Sequence, residues 1–223
     1  AAILAAKENR VYIQQKDIQR SFVKVGIGSE KKSKVVSEKE KKITAYHEAG
    51  HAILFHVLPD VGPVYSVSII PTGIGAAGYT MPLPEKDQMF YTKGRMIQDI
   101  MVSLGGRIAE ELVFEDVTTG ASQDIKHATA IARAMVTKYG MSEKLGPILY
   151  GSESSRDEVF LGRDFSSGKN YSEKTAAEID DEIRSLIDKA YKKCREILTA
   201  HMDKLEFVAQ YLLARETMDG EQF

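Results

Sequence analysis

One capped helix, over residues 37–58, most constrains how this chain can fold. It begins with SEKE, a capping box that pairs Ser37 with the glutamate three residues later. Pro59 ends it, because proline lacks the N–H that the next helical hydrogen bond needs. An α-helix turns by about 100° per residue, so His47 and His51 lie almost one above the other. The helix can therefore aim two imidazole rings at one point.

The stretch HEAGH in this helix has the H-E-x-x-H pattern, in which two histidines bind zinc and the glutamate is a general base. Glu48 is rotated by one step, so it should reach a water molecule more easily than the ion itself. A buried histidine pair with ordinary hydrogen bonds is the alternative interpretation. Gly50, a poor helix former between the histidines, favours a site where another segment approaches closely.

The spacing of residues leaves the third ligand open, although catalytic zinc usually has three protein ligands. Glu110 and Glu111 end the next predicted helix, and Glu111 falls on its apolar stripe, where a lone carboxylate is costly. In TTGASQDIKHAT, Asp124 and His127 lie one helical turn apart. Asp124 is also favoured there by the helix dipole. Asp124, His127 and Glu111 all remain candidates on spacing alone.

Apolar periodicity predicts a mainly α fold with one small β-sheet. The segment VYSVSII at 64–70 predicts a strand, and AAGYTM predicts a weaker one. Pro82 and Pro84 confine the weaker strand to an edge of the sheet. Asp17 and Ser122 are predicted helix N-caps. The predicted helices cover residues 1–9, 17–25, 37–58, 93–114, 122–139, 172–200 and 203–216.

Composition and charge describe an ordinary globular chain. Hydrophobic residues make up 43% and charged residues 28%, which excludes a disordered or collagen-like protein. A net charge of −2 gives no electrostatic reason to expect nucleic acid as a partner. No apolar run approaches the roughly 20 residues of a membrane span, so the fragment is expected to be soluble. The lysine-rich segment GIGSEKKSKVV predicts a linker over 26–36, which separates residues 1–25 from a domain over 37–223.

Three glycines, Gly73, Gly75 and Gly78, have the G-x-G-x-x-G spacing of a dinucleotide site. That fingerprint must open a helix, whereas prolines follow here, so an NAD-binding domain is a weak alternative. Small residues on an edge strand instead allow close backbone approach, and a substrate peptide could add to that edge through main-chain hydrogen bonds. The residues predicted to bind substrate are Ala77, Gly78, Tyr79 and Thr80.

Five separated motifs resemble, in the family's order, the proteolytic domain of the FtsH family of membrane-anchored AAA metalloproteases. They are SEKEKKITAYHEAGHA, GGRIAEELVF, TTGASQDIKHAT, FLGRDFS and ARETMDG, and the resemblance covers nearly the whole chain. In that family the two histidines of HEAGH and the aspartate of TTGAS-x-D bind zinc. The resemblance therefore implies one Zn²⁺ per subunit on His47, His51 and Asp124, with Glu48 as the catalytic base. Gln123, where the family commonly has Asn, leaves this assignment intact.

The resemblance also implies a zinc endopeptidase in an ATP-dependent parent that degrades unfolded, misassembled or regulatory proteins. Residues 1–25 resemble the last helices of the ATPase module, but no GxxxxGK[ST] is present, so ATP should bind only the parent. Family members form hexameric rings and are membrane-anchored through segments missing here. The domain is expected on the cytoplasmic side of a bacterial membrane, or alternatively at an organellar membrane.

A catalytically silent scaffold, which would assemble the ring and present substrate, is the other function that suits such a domain. The intact H-E-x-x-H pattern and the aspartate at the family's position argue against it. Arg163 and Asp164, in FLGRDF, are interpreted as a surface salt bridge rather than a functional pair.

Overall fold

The computed structural model describes residues 1–28, 36–72, 76–83, 89–150 and 171–223. Its helices are α1 (Ala2–Lys7), α2 (Gln15–Gly26), α3 (Glu38–Val57), α4 (Lys93–Phe114), α5 (Ser122–Thr137), α6 (Glu173–Ala200) and α7 (Met202–Arg215). Its strands are β1 (Val64–Ser68), β2 (Tyr79–Pro82) and β3 (Thr217–Asp219). The prediction of a mainly α fold with one small sheet is confirmed. The pair Arg163 and Asp164 lies outside the described residues.

Helix α3 is the central element, and it begins where the capping box predicts. The Ser37 hydroxyl accepts from the Glu40 N–H at 3.2 Å, and the Glu40 carboxylate accepts from the Ser37 N–H at 3.1 Å. The helix ends at Val57, before extended backbone at Leu58. Nearly every residue from 44 to 54 is buried. Helix α3 packs against α4, α7 and the sheet, so these elements cover its middle turns on several sides.

Helices α3 and α4 approach each other closely because glycines occupy their contact. A Cβ atom at Gly50 would lie 2.5 Å from the carbonyl oxygen of Gly105, and one at Gly105 would lie 2.6 Å from Leu54 Cδ1. Gly106 leaves space for an imidazole ring, since a Cβ atom there would lie 2.5 Å from His47 Nε2. The sequence predicted this close approach from Gly50, and the contact places α4 directly against the histidines.

The three strands form an antiparallel sheet in the order β2-β1-β3. Strand β2 therefore lies at an edge, as its prolines predict. Val67 of β1 pairs with Thr80 on one side and with Met218 on the other. Strand β3 was not predicted, because the three residues that form it after α7 are too few to show an alternation of apolar and polar side chains. Gly78 precedes a strand and not a helix, which removes the context of a dinucleotide site; Gly73 and Gly75 lie outside the described residues.

The amino-terminal helices form a small unit built around a partly buried ion pair of Arg10 and Asp17. Gln14, and not Asp17, is the N-cap of α2. Asp17 occupies the third helical position because its carboxylate accepts from the Gln14 N–H at 2.8 Å and from Arg10 at 2.7 Å. The ring of Phe22 packs edge-on against Tyr65 of the sheet, with centroids 6.0 Å apart. The predicted boundary over 26–36 stays a prediction. None of the helices in the described ranges combines the length and apolar character of a membrane span.

Gly50→Ala should destabilise the fold, because its Cβ would collide with the backbone of α4. Overpacking of this kind costs about 1–3 kcal/mol, so the midpoint of thermal unfolding should fall by several degrees. Gly94→Ala is the matched control in α4, since a Cβ atom there meets nothing closer than 3.9 Å. An unchanged melting temperature for Gly50→Ala, measured by circular dichroism, would contradict the proposed contact.

Candidate metal centre

Two helices bring three possible metal ligands together. The Nε2 atoms of His47 and His51, on α3, are 3.1 Å apart. Asp124 Oδ2, on α5, lies 3.2 Å from His47 Nε2 and 3.7 Å from His51 Nε2. One ligand atom from each residue lies within 4.8 Å of the others. Tetrahedral zinc, with bonds of about 2.0–2.2 Å, separates its ligands by about 3.3 Å. The donor set therefore fits zinc to within a few tenths of an ångström.

A 3₁₀ turn before α5 places Asp124 at the site. The turn covers Thr119–Ala121, and the Thr118 hydroxyl caps it by accepting from the Gly120 N–H at 3.1 Å. Ser122, predicted as the N-cap, is instead the first residue of α5. Helical backbone thus begins at Thr119, three residues earlier than the sequence predicted, because Thr118 provides the cap. Asp124 then stands in the first turn of α5, where the helix dipole favours a carboxylate.

The second nitrogen of each histidine is held by an acceptor on α4. His47 Nδ1 donates to Glu110 Oε1 and His51 Nδ1 donates to the carbonyl oxygen of Val102, both at 2.7 Å. Glu110 is buried, with 1% of its surface exposed. Its other carboxylate oxygen accepts a hydrogen bond from the Thr118 N–H at 2.8 Å. Protonation at Nδ1 leaves the Nε2 lone pair for a metal, so these contacts select the tautomer that zinc requires.

Glu110, and not Glu111, is the carboxylate of α4 that supports the site. Glu111 accepts hydrogen bonds from the Tyr191 hydroxyl and, at 2.6 Å, from Arg195, both on α6. The sequence could not separate the two glutamates by pattern. One signal was available: Glu110 lies four residues after Gly106, the glycine that faces His47, so both share one face of the helix.

His127, the other candidate ligand, lies one turn beyond Asp124 and is exposed. It lines the same cavity as the three grouped residues but is not one of them. His56 packs its ring against Phe223, and His201 Nδ1 donates to the carbonyl oxygen of Ile197, so both are engaged elsewhere. The structure thus brings together the three residues that the family resemblance implied.

Glu48 is buried beside the ligand group, with 6% of its surface exposed. Burial raises the pKa of its carboxyl group, because a charge is less well solvated away from water. The Thr80 hydroxyl donates to Glu48 Oε2 at 2.8 Å. A carboxylate of raised pKa accepts a proton more readily, which suits a general base.

Hydrogen bonds link the charges of the three grouped residues. Burial lowers the pKa of His47, but hydrogen bonds to Asp124 and Glu110 outweigh burial and raise that pKa to about 10. Burial also raises the pKa of Asp124, yet hydrogen bonds from the histidines hold it well below its usual range. At neutral pH, His47 therefore holds a proton that a metal must displace.

A cavity of about 1170 Å³ surrounds these groups. Strand β2 and the segment before it form one wall, including all four residues predicted to bind substrate. Residues near the two ends of the predicted linker, Ile27 and Val36, also line the cavity. Its dimensions exceed those of a single side chain, so it can accept an extended stretch of polypeptide.

A helix that carries two histidines and an intervening glutamate, completed by an acid from a second helix, defines a site of the zinc-peptidase class. The chain belongs to peptidase family M41, whose model matches residues 34–223.

Relatives match the chain along its full length. It is 56% identical over 223 residues to an ATP-dependent zinc metalloprotease FtsH of Caldicellulosiruptor bescii, covering 100% of this chain and 36% of the relative. It is 51% identical over 223 residues to an ATP-dependent zinc metalloprotease FtsH 2 of Alkaliphilus metalliredigens, covering 100% of this chain and 32% of the relative. The chain thus spans about a third of the length of the curated relatives it matches.

Asp124→Ala should lower zinc occupancy sharply, because it removes one of the three grouped donors. Glu111→Ala is the control, since its carboxylate pairs with α6 instead. Zinc per chain is measured by atomic emission after dialysis against a weak chelator. Loss of zinc from Glu111→Ala with retention in Asp124→Ala would show that the ligand set is wrong.

Zinc binding near pH 7 should release about one proton from His47, because its metal-free pKa is raised to about 10. Between neutrality and that pKa, apparent zinc affinity should rise with pH and then level off. Isothermal titration in buffers of different ionisation enthalpy counts the protons. Glu110→Gln replaces a charged acceptor that raises this pKa with a neutral one, so it should shift the plateau to lower pH. Proton-neutral binding at pH 7 would contradict the assignment.

Proposed function

We propose that this chain is the zinc endopeptidase domain of a longer ATP-dependent protease. The observation that carries the proposal is the grouping of His47, His51 and Asp124 beside the buried Glu48. Membership of peptidase family M41 and the names of the FtsH relatives support it. Zinc held there would polarise the scissile carbonyl group and lower the pKa of a bound water molecule.

The remaining chemistry belongs to the residues of this chain. Glu48 accepts a proton from the attacking water as its oxygen bonds to the peptide carbon. The same carboxyl group then gives that proton to the leaving nitrogen as the C–N bond breaks, which returns Glu48 to its ionised form. Glu110 and the Val102 carbonyl keep both imidazole rings oriented throughout. No side chain is consumed, so the site turns over.

The substrate, in this proposal, binds as an extended strand along β2. Strand β2 lies at an edge of the sheet, and the predicted substrate-binding residues line the cavity that holds Glu48. Main-chain pairing at such an edge tolerates many side chains. It would suit a protease that cuts unfolded or extended polypeptides of unrelated sequence. The four residues are Ala77, Gly78, Tyr79 and Thr80.

The wider setting is proposed from the family resemblance. Residues 1–25 are proposed as the end of an ATPase module that lies mostly outside this chain, followed by a linker over 26–36 and the protease domain over 37–223. The parent is proposed to be a membrane-anchored hexamer with this domain on the cytoplasmic side of a bacterial membrane, or alternatively at an organellar membrane. ATP would act in the parent, since the relatives are named ATP-dependent.

Glu48→Gln should lower peptide hydrolysis by about 10²–10⁴, because it preserves shape and removes the base. Fold and zinc content should be unchanged, since the glutamine can still accept from Thr80. Glu143→Gln serves as a surface control, because the Glu143 side chain is 94% exposed. Full activity in Glu48→Gln would rule out the proposed mechanism.

The isolated chain with zinc should cleave a flexible reporter peptide but leave a stably folded protein intact. Folded proteins offer few extended segments, because their backbone groups are already paired. Adding ATP should change neither rate, since the chain contains no P-loop sequence. A fluorogenic peptide and a folded tagged protein are compared with and without ATP. ATP-stimulated loss of the folded protein would reveal a nucleotide site in this chain.

A further inference from the structure

The carboxylate of Glu48 is held from strand β2 and not from its own helix. Thr80 Oγ1 lies 2.8 Å from Glu48 Oε2 and 3.0 Å from the backbone carbonyl oxygen of Glu48. This hydroxyl group is a side-chain donor that the fold itself places on the Glu48 carboxylate. The orientation of the buried carboxylate therefore depends on a hydroxyl group that is distant in sequence.

The backbone before Thr80 restrains the other carboxylate oxygen. A Cβ atom at Gly78 would lie 2.9 Å from Glu48 Oε1, and it would also lie 2.6 Å from the carbonyl oxygen of Ser68. Only hydrogen fits at this position. One short segment thus contacts Glu48 at both oxygens, through a hydroxyl group at one and through a bare backbone at the other.

We propose that Thr80 is a positioning residue for the base, an inference that rests on the proposed function of Glu48. Its hydroxyl group fixes the plane of the carboxylate, so that lone pairs of Glu48 not used by Thr80 stay available for the attacking water. The sequence predicted Thr80 as a substrate contact through its place on β2. That prediction concerned the main chain, and the geometry gives the side chain a contact of its own with Glu48.

A hydroxyl group suits this role because it donates a hydrogen bond without carrying a charge. While Glu48 is ionised, the Thr80 O–H donates to Oε2. Once Glu48 holds the proton taken from water, on a lone pair that Thr80 does not use, Oε2 can still accept from the Thr80 O–H, and the proton stays free to reach the leaving nitrogen. The contact is thereby kept in both states, and no proton is gained or lost by Thr80.

Strand β2 is also proposed to bind the substrate, so Thr80 links the substrate strand to Glu48. The main chain of Thr80 pairs with Val67 in the sheet, while its side chain holds Glu48. A substrate strand seated on the outer edge of β2 would lie at a fixed distance from the base. This arrangement sets the register between the scissile bond and the carboxylate without a further contact.

Three variants test the role through kinetics. Thr80→Val keeps the shape and removes the hydroxyl group, and Thr80→Ser keeps the hydroxyl group. Thr137→Val is the matched control, because its hydroxyl donates only to the Arg133 carbonyl oxygen of its own helix. With a fluorogenic peptide, Thr80→Val should lower kcat by about tenfold or more, with KM within about twofold. Thr80→Ser should recover most of kcat, and all three variants should keep zinc.

Two kinetic results would overturn the proposal. A raised KM with unchanged kcat in Thr80→Val would make Thr80 a substrate contact, as its place on the strand first suggested. A kcat equal to that of the unaltered chain would show that the hydroxyl group is dispensable. Equal losses in the serine and valine variants would also count against it, because they would show that packing and not the hydroxyl group matters.

Crystal structures of the zinc-loaded chain give a readout that does not depend on activity. In Thr80→Val the Glu48 carboxylate should leave its position, while in Thr80→Ser it should stay. An unmoved carboxylate in Thr80→Val would overturn the proposal even if no peptide were cleaved. Inactivity of the unaltered zinc-loaded chain would instead reject the proposed endopeptidase, and the carboxylate positions would still decide what Thr80 does.

Discussion

The close contact between α3 and α4 is the constraint on which the rest of the site depends. It exists because Gly50 and Gly105 place no Cβ atoms between the two backbones. At this distance two acceptors of α4 can reach the histidines: the main-chain carbonyl of Val102 contacts His51, and the carboxylate of Glu110 contacts His47. A wider spacing would leave both Nδ1 atoms without acceptors and both rings free to rotate. Helix packing therefore selects the imidazole tautomer, which in turn selects the metal-binding nitrogen.

The packing of α3 against α4 also brings acidic side chains together in the protein interior. Glu48, Glu110 and Asp124 all lie within reach of one histidine pair, and buried carboxylates are costly unless paired. Protonation of His47, whose pKa is raised to about 10 by its acidic neighbours, partly balances them. A divalent cation can replace this proton and balance more of the negative charge. The excess of buried acidic residues destabilises the fold when no cation is bound. The same excess favours binding of a cation, and metal binding then adds to the stability of the fold.

The sequence predicted local features well and long-range ones poorly. The bounds of α3 followed from Ser37 and Pro59, because caps and breakers act within one turn. The third candidate ligand could not be chosen by spacing, since Asp124 reaches the histidines only through the packing of α5. Glu110 was equally hidden, because neighbouring helix positions differ by about 100° and only the facing helix tells which one is used. Thr80 was placed on the correct strand, but its side-chain contact with Glu48 depends on how β2 packs on α3, which the sequence does not show.

The carboxyl-terminal motif ARETMDG shows how a segment without metal-binding residues can serve the site. Helix α7 ends where Glu216 adopts a left-handed backbone, with φ of 64°. The carbonyl oxygen of Glu216 accepts from the Ile69 N–H at 3.0 Å, and β3 then pairs along β1. Strand β1 is thus fixed on one side by β3 and presents its other side to β2. Because Thr80 of β2 donates a hydrogen bond to the Glu48 carboxylate, residues 216–219 support Glu48 across the whole width of the sheet.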